Sequence, residues 1–200
     1  MNNPHQRREQ IAETAWRVIE REGVSRASLR EIAREGGYTT GVLSYYFRDK
    51  QELLAYALGL VVDRQVERLG RVAPQRGLQA ALAELLPLDA ERRRECVIWL
   101  ALTTASLQQP DLATELQRRC AQARTAMSSA LSDALASSSP TEDIDDLSDE
   151  LQALIDGITV NALGQPERYP PERQLAVLGR ALGRLGRMQA ASPRLSSPST

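Results

Sequence analysis

Residues 28–54, SLREIAREGGYTTGVLSYYFRDKQELL, constrain the fold more than any other stretch, because they punctuate one short run of chain into three helix starts. Ser28 with Glu31 three residues on has the reciprocal capping-box arrangement, and Gly36-Gly37 closes that helix after two turns. Thr39 can then cap a third helix running to about Phe47. Asp49 with Glu52 forms a second capping box, opening a longer helix toward Gly70 that Pro74 requires to be over. Two-turn helices do not stand alone in water, so this run needs a supporting neighbour. Upstream, Ile11, Ala15, Val18 and Ile19 recur at helical spacing between Pro4 and Glu22, and Gly23 stands where a left-handed cap would end that helix. Two short capped helices joined by a glycine-containing turn have the spacing of a helix-turn-helix.

Downstream the pattern stays helical, over residues 76–86, 90–108, 111–136, 144–163 and 171–188, with breaks at Pro87, Pro110, Pro140 and Pro166. No convincing period-two strand interrupts it. The expectation is an all-α chain of about nine helices: a three-helix helix-turn-helix head over 1–49, a larger helical bundle over 50–190, and a disordered Ser/Pro-rich tail over 191–200. The serine-to-acidic run over 137–146 reads as an exposed loop.

Composition narrows the functions. A formal charge of −1 gives no overall attraction to phosphate, so any nucleic-acid role must come from a local basic surface. There is no run of eighteen apolar residues, and the N-terminus enters an amphipathic pattern, so neither a membrane span nor export is expected, and the cytoplasm is the expected compartment. Cys96 and Cys120 stand far apart without metal-type spacing and read as small apolar residues in a reducing compartment. His5 is the one histidine and lies near the N-terminus, which removes the usual Ser–His, Cys–His and histidine–metal arrangements. Glu142, Asp143, Asp145 and Asp146 are contiguous and read as a solvated charge run. No catalytic constellation, metal set or phosphate loop is visible, so no enzyme, cofactor or metal site is expected.

In a helix-turn-helix the second helix enters the major groove with its N-terminal residues on base edges while the first crosses the backbone. That assigns Thr39, Thr40, Gly41 and Ser44 to the groove, where small residues permit close approach and hydroxyls can serve base or phosphate. Ser28 caps the crossing helix, Arg30 lies one turn away, and Tyr45 and Tyr46 can donate to flanking phosphates. Lys50, in the first turn of a helix, meets the positive end of the macrodipole, a placement that an anionic partner would make favourable. Each residue also has a bland reading: Lys50 as a solvated charge, Tyr46 packed on the first helix, Thr39 as a cap and nothing more.

Taken in order, Ile11-x-x-x-Ala15 to Gly23, Ser28-Leu-x-Glu-Ile-Ala33, Gly37, Thr39-x-Gly41-x-Leu43, Tyr46-Phe47 and Lys50-x-Glu-Leu-Leu54 resemble the N-terminal domain of the tetracycline-repressor (TetR) family of bacterial regulators. The resemblance covers residues 7–58. Tyr38 departs from a usual small aliphatic residue and Ser44 from a frequent tyrosine, and a serine before an aromatic-Tyr-Phe run is similar to the subgroup that includes the betaine-pathway repressors. The resemblance implies a helical C-terminal domain, a homodimer on palindromic operator DNA, repression as the commoner mode, and release by a small-molecule inducer. A transcriptional activator of the same fold, and a helical binding or interaction module without DNA binding, are the competing readings.

In the body, Leu151, Leu154, Ile155 and Ile158 form one apolar stripe and Leu175, Leu178, Leu182 and Leu185 another, which a four-helix dimer interface would bury, unless they only pack on their own subunit. Gly179 and Gly183 in the last helix suit close approach of a partner helix. Cys96, Trp99, Leu100, Thr103 and Thr104, faced by Cys120, Met127 and Asn161, are candidate pocket residues; an ordinary satisfied core is the alternative for each.

Overall fold

The computed structural model describes residues 3–135 and 143–191, with side chains through Arg184. Much of the expected 137–146 loop, nearly all of the tail and the Leu185 side chain lie outside that description. Among the described residues there are nine helices and no strand: α1 (Pro4–Glu22), α2 (Leu29–Gly36), α3 (Thr40–Tyr46), α4 (Lys50–Arg76), α5 (Leu78–Ala83), α6 (Ala90–Ser106), α7 (Pro110–Leu135), α8 (Ile144–Gly164) and α9 (Pro171–Ala191). No described helix is long and apolar enough to cross a membrane.

The described residues build two apolar clusters. In the first, Ile11, Ala15, Trp16, Val18 and Ile19 of α1 meet Ile32, Leu43, Phe47 and the Leu53–Val61 part of α4, with Ile98, Leu102 and Leu112 closing it from α6 and α7. The buried indole N–H of Trp16 donates to the Ala57 carbonyl at 3.2 Å, so this large ring is fixed in direction as well as in depth. In the second, Leu69 of α4 joins α5, Met127 and Leu131 of α7, Leu151, Ile155 and Ile158 of α8, and Leu178 of α9. Its 27 residues make α4 about 40 Å long, and the same helix serves both clusters. Buried Glu95 of α6, paired with Arg68, ties the middle of α4 to the body.

Two boundaries differ from the sequence reading. Helix α4 runs through Pro74, because in a last turn the ring forfeits only the bond from its missing N–H to Gly70, and Gly77 at φ 80° stops the helix three residues later. That shortens α5, which begins at Leu78. Asp145 and Asp146 lie in the first turn of α8 behind the Asp143 cap, where carboxylates meet the positive helix end; they are helical, not loop.

Candidate nucleic-acid interface and body cavity

The local structure of the head follows its caps. Ser28 Oγ accepts from the Glu31 N–H at 3.2 Å, but the reciprocal arm does not form. The Ser28 N–H already donates to the Arg26 carbonyl at 2.8 Å, and the Glu31 carboxylate takes the Arg34 guanidinium, the stronger charge-assisted partner. Gly37, at φ 65° and ψ 28°, turns the chain in the left-handed region, and the Tyr38 N–H closes back on Ala33 at 2.9 Å as a Schellman cap. Thr39 Oγ1 accepts from the Val42 N–H at 3.3 Å and starts α3.

On α3 the inward side is Leu43, continued by Phe47, both fully buried; Thr40, Gly41, Ser44 and Tyr45 form an exposed outward arc. A Cβ built on Gly41 would meet little beside the Thr39 hydroxyl, 3.8 Å away, so nothing within the chain requires glycine there. Glycine in so short a helix costs about 1 kcal/mol relative to alanine. The two tyrosines divide: Tyr45 is 81% exposed, while Tyr46 is half-buried against the core and meets Tyr45 edge-on, centroids 4.9 Å apart.

The cations of the head fall into two classes. Arg17 and Arg21 pair with Glu35 at 3.4 and 2.9 Å, and Arg34 pairs with Glu31. The Arg34 contact holds the Glu31 carboxyl below its usual range, and the Arg21 contact does the same for Glu35. Arg30, together with Arg7 and Arg26, which the sequence reading passed over, has no carboxylate partner among the described residues. The distinction depends on glutamates from a different helix, and periodicity within one helix carries no sign of it. Lys50 is placed differently from expectation. Its Nζ donates to the carbonyls of Val24 and Ser25 at 2.8 and 3.1 Å, fastening the start of α4 to the turn after α1. Partial burial pulls its pKa down from the ordinary lysine value.

In the body, α4, α6, α7 and α8 enclose a cavity of about 230 Å³. Cys96, Trp99, Cys120 and Met127 line it as the sequence suggested. Leu100 and Thr104 lie one helix stripe away, on a separate shallow groove with Val24 and Ser25. Thr103 has a buried hydroxyl without a partner but is not in the cavity wall, and Asn161 Nδ2 donates to the Gly157 carbonyl at 2.7 Å outside it. The sequence reading missed the α8 wall, where Gln152, Asp156 and Thr159 face the space. Other charges on the wall are neutralised: Arg124 pairs with Asp149 at 3.0 Å, and Arg119 with Asp63 and Glu115 at 2.6 and 2.7 Å. Among the described residues Asp156 has no cation and accepts one bond, from Gln152 Nε2 at 2.8 Å. Burial pushes its carboxyl above the ordinary range, against the pull of that bond. The Cys96 thiol is pushed up to about 12, chiefly by burial.

Most of the described residues of the expected dimer stripes are turned inward. Leu151, Ile158 and Leu178 are buried in their own subunit, and Leu154 and Leu182 pack partly against the same cluster. Gly179 admits Gln79 of α5, whose Nε2 would stand 3.0 Å from an added Cβ; Gly183 is half-buried. Of the named residues Leu175 stays open, at 37% exposure, and on α8 the outward row is Ala153, Gly157, Val160 and Gly164.

Comparison with known proteins accords with both halves. The profile of bacterial regulatory proteins of the tetR family matches residues 11–57, and that of the C-terminal part of BetI-type transcriptional repressors matches residues 74–187. The HTH-type transcriptional regulator PksA of Bacillus subtilis is 32% identical over 173 residues, 84% of this chain and 83% of that protein. A transcriptional regulator from Rhodococcus sp. Rha1 superposes with a TM-score of 0.81 at 30% identity, covering 93% of this chain and 99% of the other. Another, from Saccharomonospora viridis and solved in complex with choline, gives 0.74 at 27% identity over 90% of this chain and 96% of its own. The chain is therefore a DNA-binding transcriptional regulator and belongs to the TetR family, with a C-terminal part of the BetI type.

Proposed function

We propose that the protein is a homodimeric repressor on cytoplasmic nucleoid DNA, with a reading head over residues 1–49 and a sensing body over 50–190, released by a small organic cation with apolar substituents. The observation that carries the DNA-reading half is the exposed arc of Thr40, Gly41, Ser44 and Tyr45 on a capped helix whose other face is locked in the core. Thr40, Gly41 and Ser44 approach base edges; Ser28, Arg30, Tyr45 and the free edge of Tyr46 hold phosphates. Thr39 sets the helix start. Lys50 acts mainly by fastening the head, with at most its remaining N–H for a phosphate.

A partner copy would meet the outward row Ala153, Gly157, Val160 and Gly164 of α8 together with Leu175 of α9, where small residues permit close helix approach; reading successive major grooves requires two heads about 34 Å apart. The ligand class rests on Asp156, a cavity-wall carboxylate with no cation among the described residues, with Trp99 offering an aromatic surface in the same wall. The choline complex of the Saccharomonospora viridis regulator supports it. Since α4 touches both the cavity and the reading head, a ligand that prefers a different α4 position shifts the spacing of the heads. The test is titration of the protein–DNA complex with choline and with its neutral isostere 3,3-dimethylbutanol. Release by the cation alone supports the reading; release by both, or by neither, refutes the assigned ligand class.

A further inference from the structure

Arg7 and Arg8 are adjacent in sequence and both lie over aromatic rings, yet they are built for different purposes. The Arg8 guanidinium covers Phe47 and Tyr56, at 4.6 and 4.8 Å from their centroids, and is neutralised by Glu52 at 3.0 Å. It is a structural cation. Arg7 lies 4.7 Å over the Tyr38 ring, has no carboxylate partner among the described residues, and spends one hydrogen bond on Gln10 Oε1 at 3.1 Å. The Tyr38 ring lies against Gly36, where an added Cβ would come 2.3 Å from Cε2, so a side chain at 36 would displace the ring from its place beneath Arg7. Tyr38 is followed directly by Thr39 and Thr40, so its backbone is within about 8 Å of the leading residue of α3.

We propose that Arg7 is a DNA-phosphate contact, held at the edge of the reading helix by Tyr38 as a positioning residue on a Gly36 platform. An aromatic stack orients a guanidinium while leaving its N–H edge free, the arrangement that suits a planar donor approaching phosphate oxygens. A contact of this kind adds affinity without reading sequence. The inference rests on the assignment of α3 as the reading helix.

The experiment selects a bound fragment from a random-sequence DNA pool and measures its affinity across a salt series for wild type, Arg7→Ala, Tyr38→Leu, Tyr38→Phe, Arg7→Ala/Tyr38→Leu and Tyr45→Ala, each checked by thermal melt. Arg7→Ala should lower the salt slope by roughly 0.9 per subunit and weaken binding severalfold, equally on the selected fragment and on unrelated DNA. Tyr38→Leu should do the same in part, Tyr38→Phe should match wild type, and the double variant should be no weaker than Arg7→Ala. If Tyr45→Ala loses binding while Arg7→Ala keeps both slope and affinity, the Arg7 contact is overturned and the reading helix stands. If wild type selects no fragment, or Tyr45→Ala binds like wild type, the reading helix itself is misassigned and the Arg7 contact falls with it.

Discussion

Replacing Lys50 by alanine separates two roles that the sequence leaves entangled. A phosphate anchor, once removed, weakens binding on every DNA and flattens the salt slope without touching stability. The structure leads to a different expectation, because the ammonium is engaged by the Val24 and Ser25 carbonyls at 2.8 and 3.1 Å. Hydrogen bonds to charged groups are worth about 1.5–3 kcal/mol each when shielded. Ser25 is exposed, so water replaces much of its bond, and the combined loss is about 2 kcal/mol. For a chain of this size that lowers the melting temperature by roughly 4–8 °C. Thermal denaturation followed by circular dichroism, beside the DNA salt series, reads both quantities. A melting temperature unchanged in Lys50→Ala, with the slope reduced by about one per subunit, would instead assign Lys50 to the phosphate backbone.

Three further outcomes follow from the body. Asp156→Asn should abolish binding of choline; in the wild type that binding should weaken as pH falls through the raised Asp156 pKa, as followed by tryptophan fluorescence. A carboxyl raised above its ordinary 3.8 binds its proton more tightly folded than unfolded, so wild-type stability falls as pH rises from that value through the folded pKa. Asp156→Asn should lack this loss in thermal melts, and identical pH profiles would count against it. In native protein, Cys120 should react with a thiol reagent while Cys96 stays silent until unfolding, because Cys96 is buried with its thiol pushed up to about 12; equal rates by mass spectrometry would contradict this. Val160→Arg, at an exposed position, should leave folding intact but convert a dimer to monomer in analytical ultracentrifugation; an unchanged mass would remove the α8 row from the interface.

The head was legible because its information is local. Ser28, Thr39 and Asp49 cap the helices as their side-chain chemistry predicts, and Gly37 takes the left-handed turn. What failed there depended on neighbours distant in sequence: which arginines the glutamates of α2 neutralise, and where the Lys50 ammonium goes. In the body the period of 3.6 identifies an apolar stripe but not the surface it meets. Leu151, Ile158 and Leu178 therefore satisfied the pattern of an interface while filling their own core. Asp156 escaped notice because a carboxylate is a cavity residue only once four helices have closed around it. Leu100 and Thr104 show the reverse case, since both share a helix with Trp99 and still face a different surface.

DNA reading by the outward arc of α3 is the part of the proposed function on which the rest depends. Its most direct test is fluorescence anisotropy on a selected DNA fragment, comparing wild type with Thr40→Val/Tyr45→Ala at matched melting temperature. Salt-dependent binding by the wild type is expected, with at least a tenfold loss in the variant and reduced discrimination against unrelated DNA. Equal affinity and equal discrimination in the two proteins would contradict it.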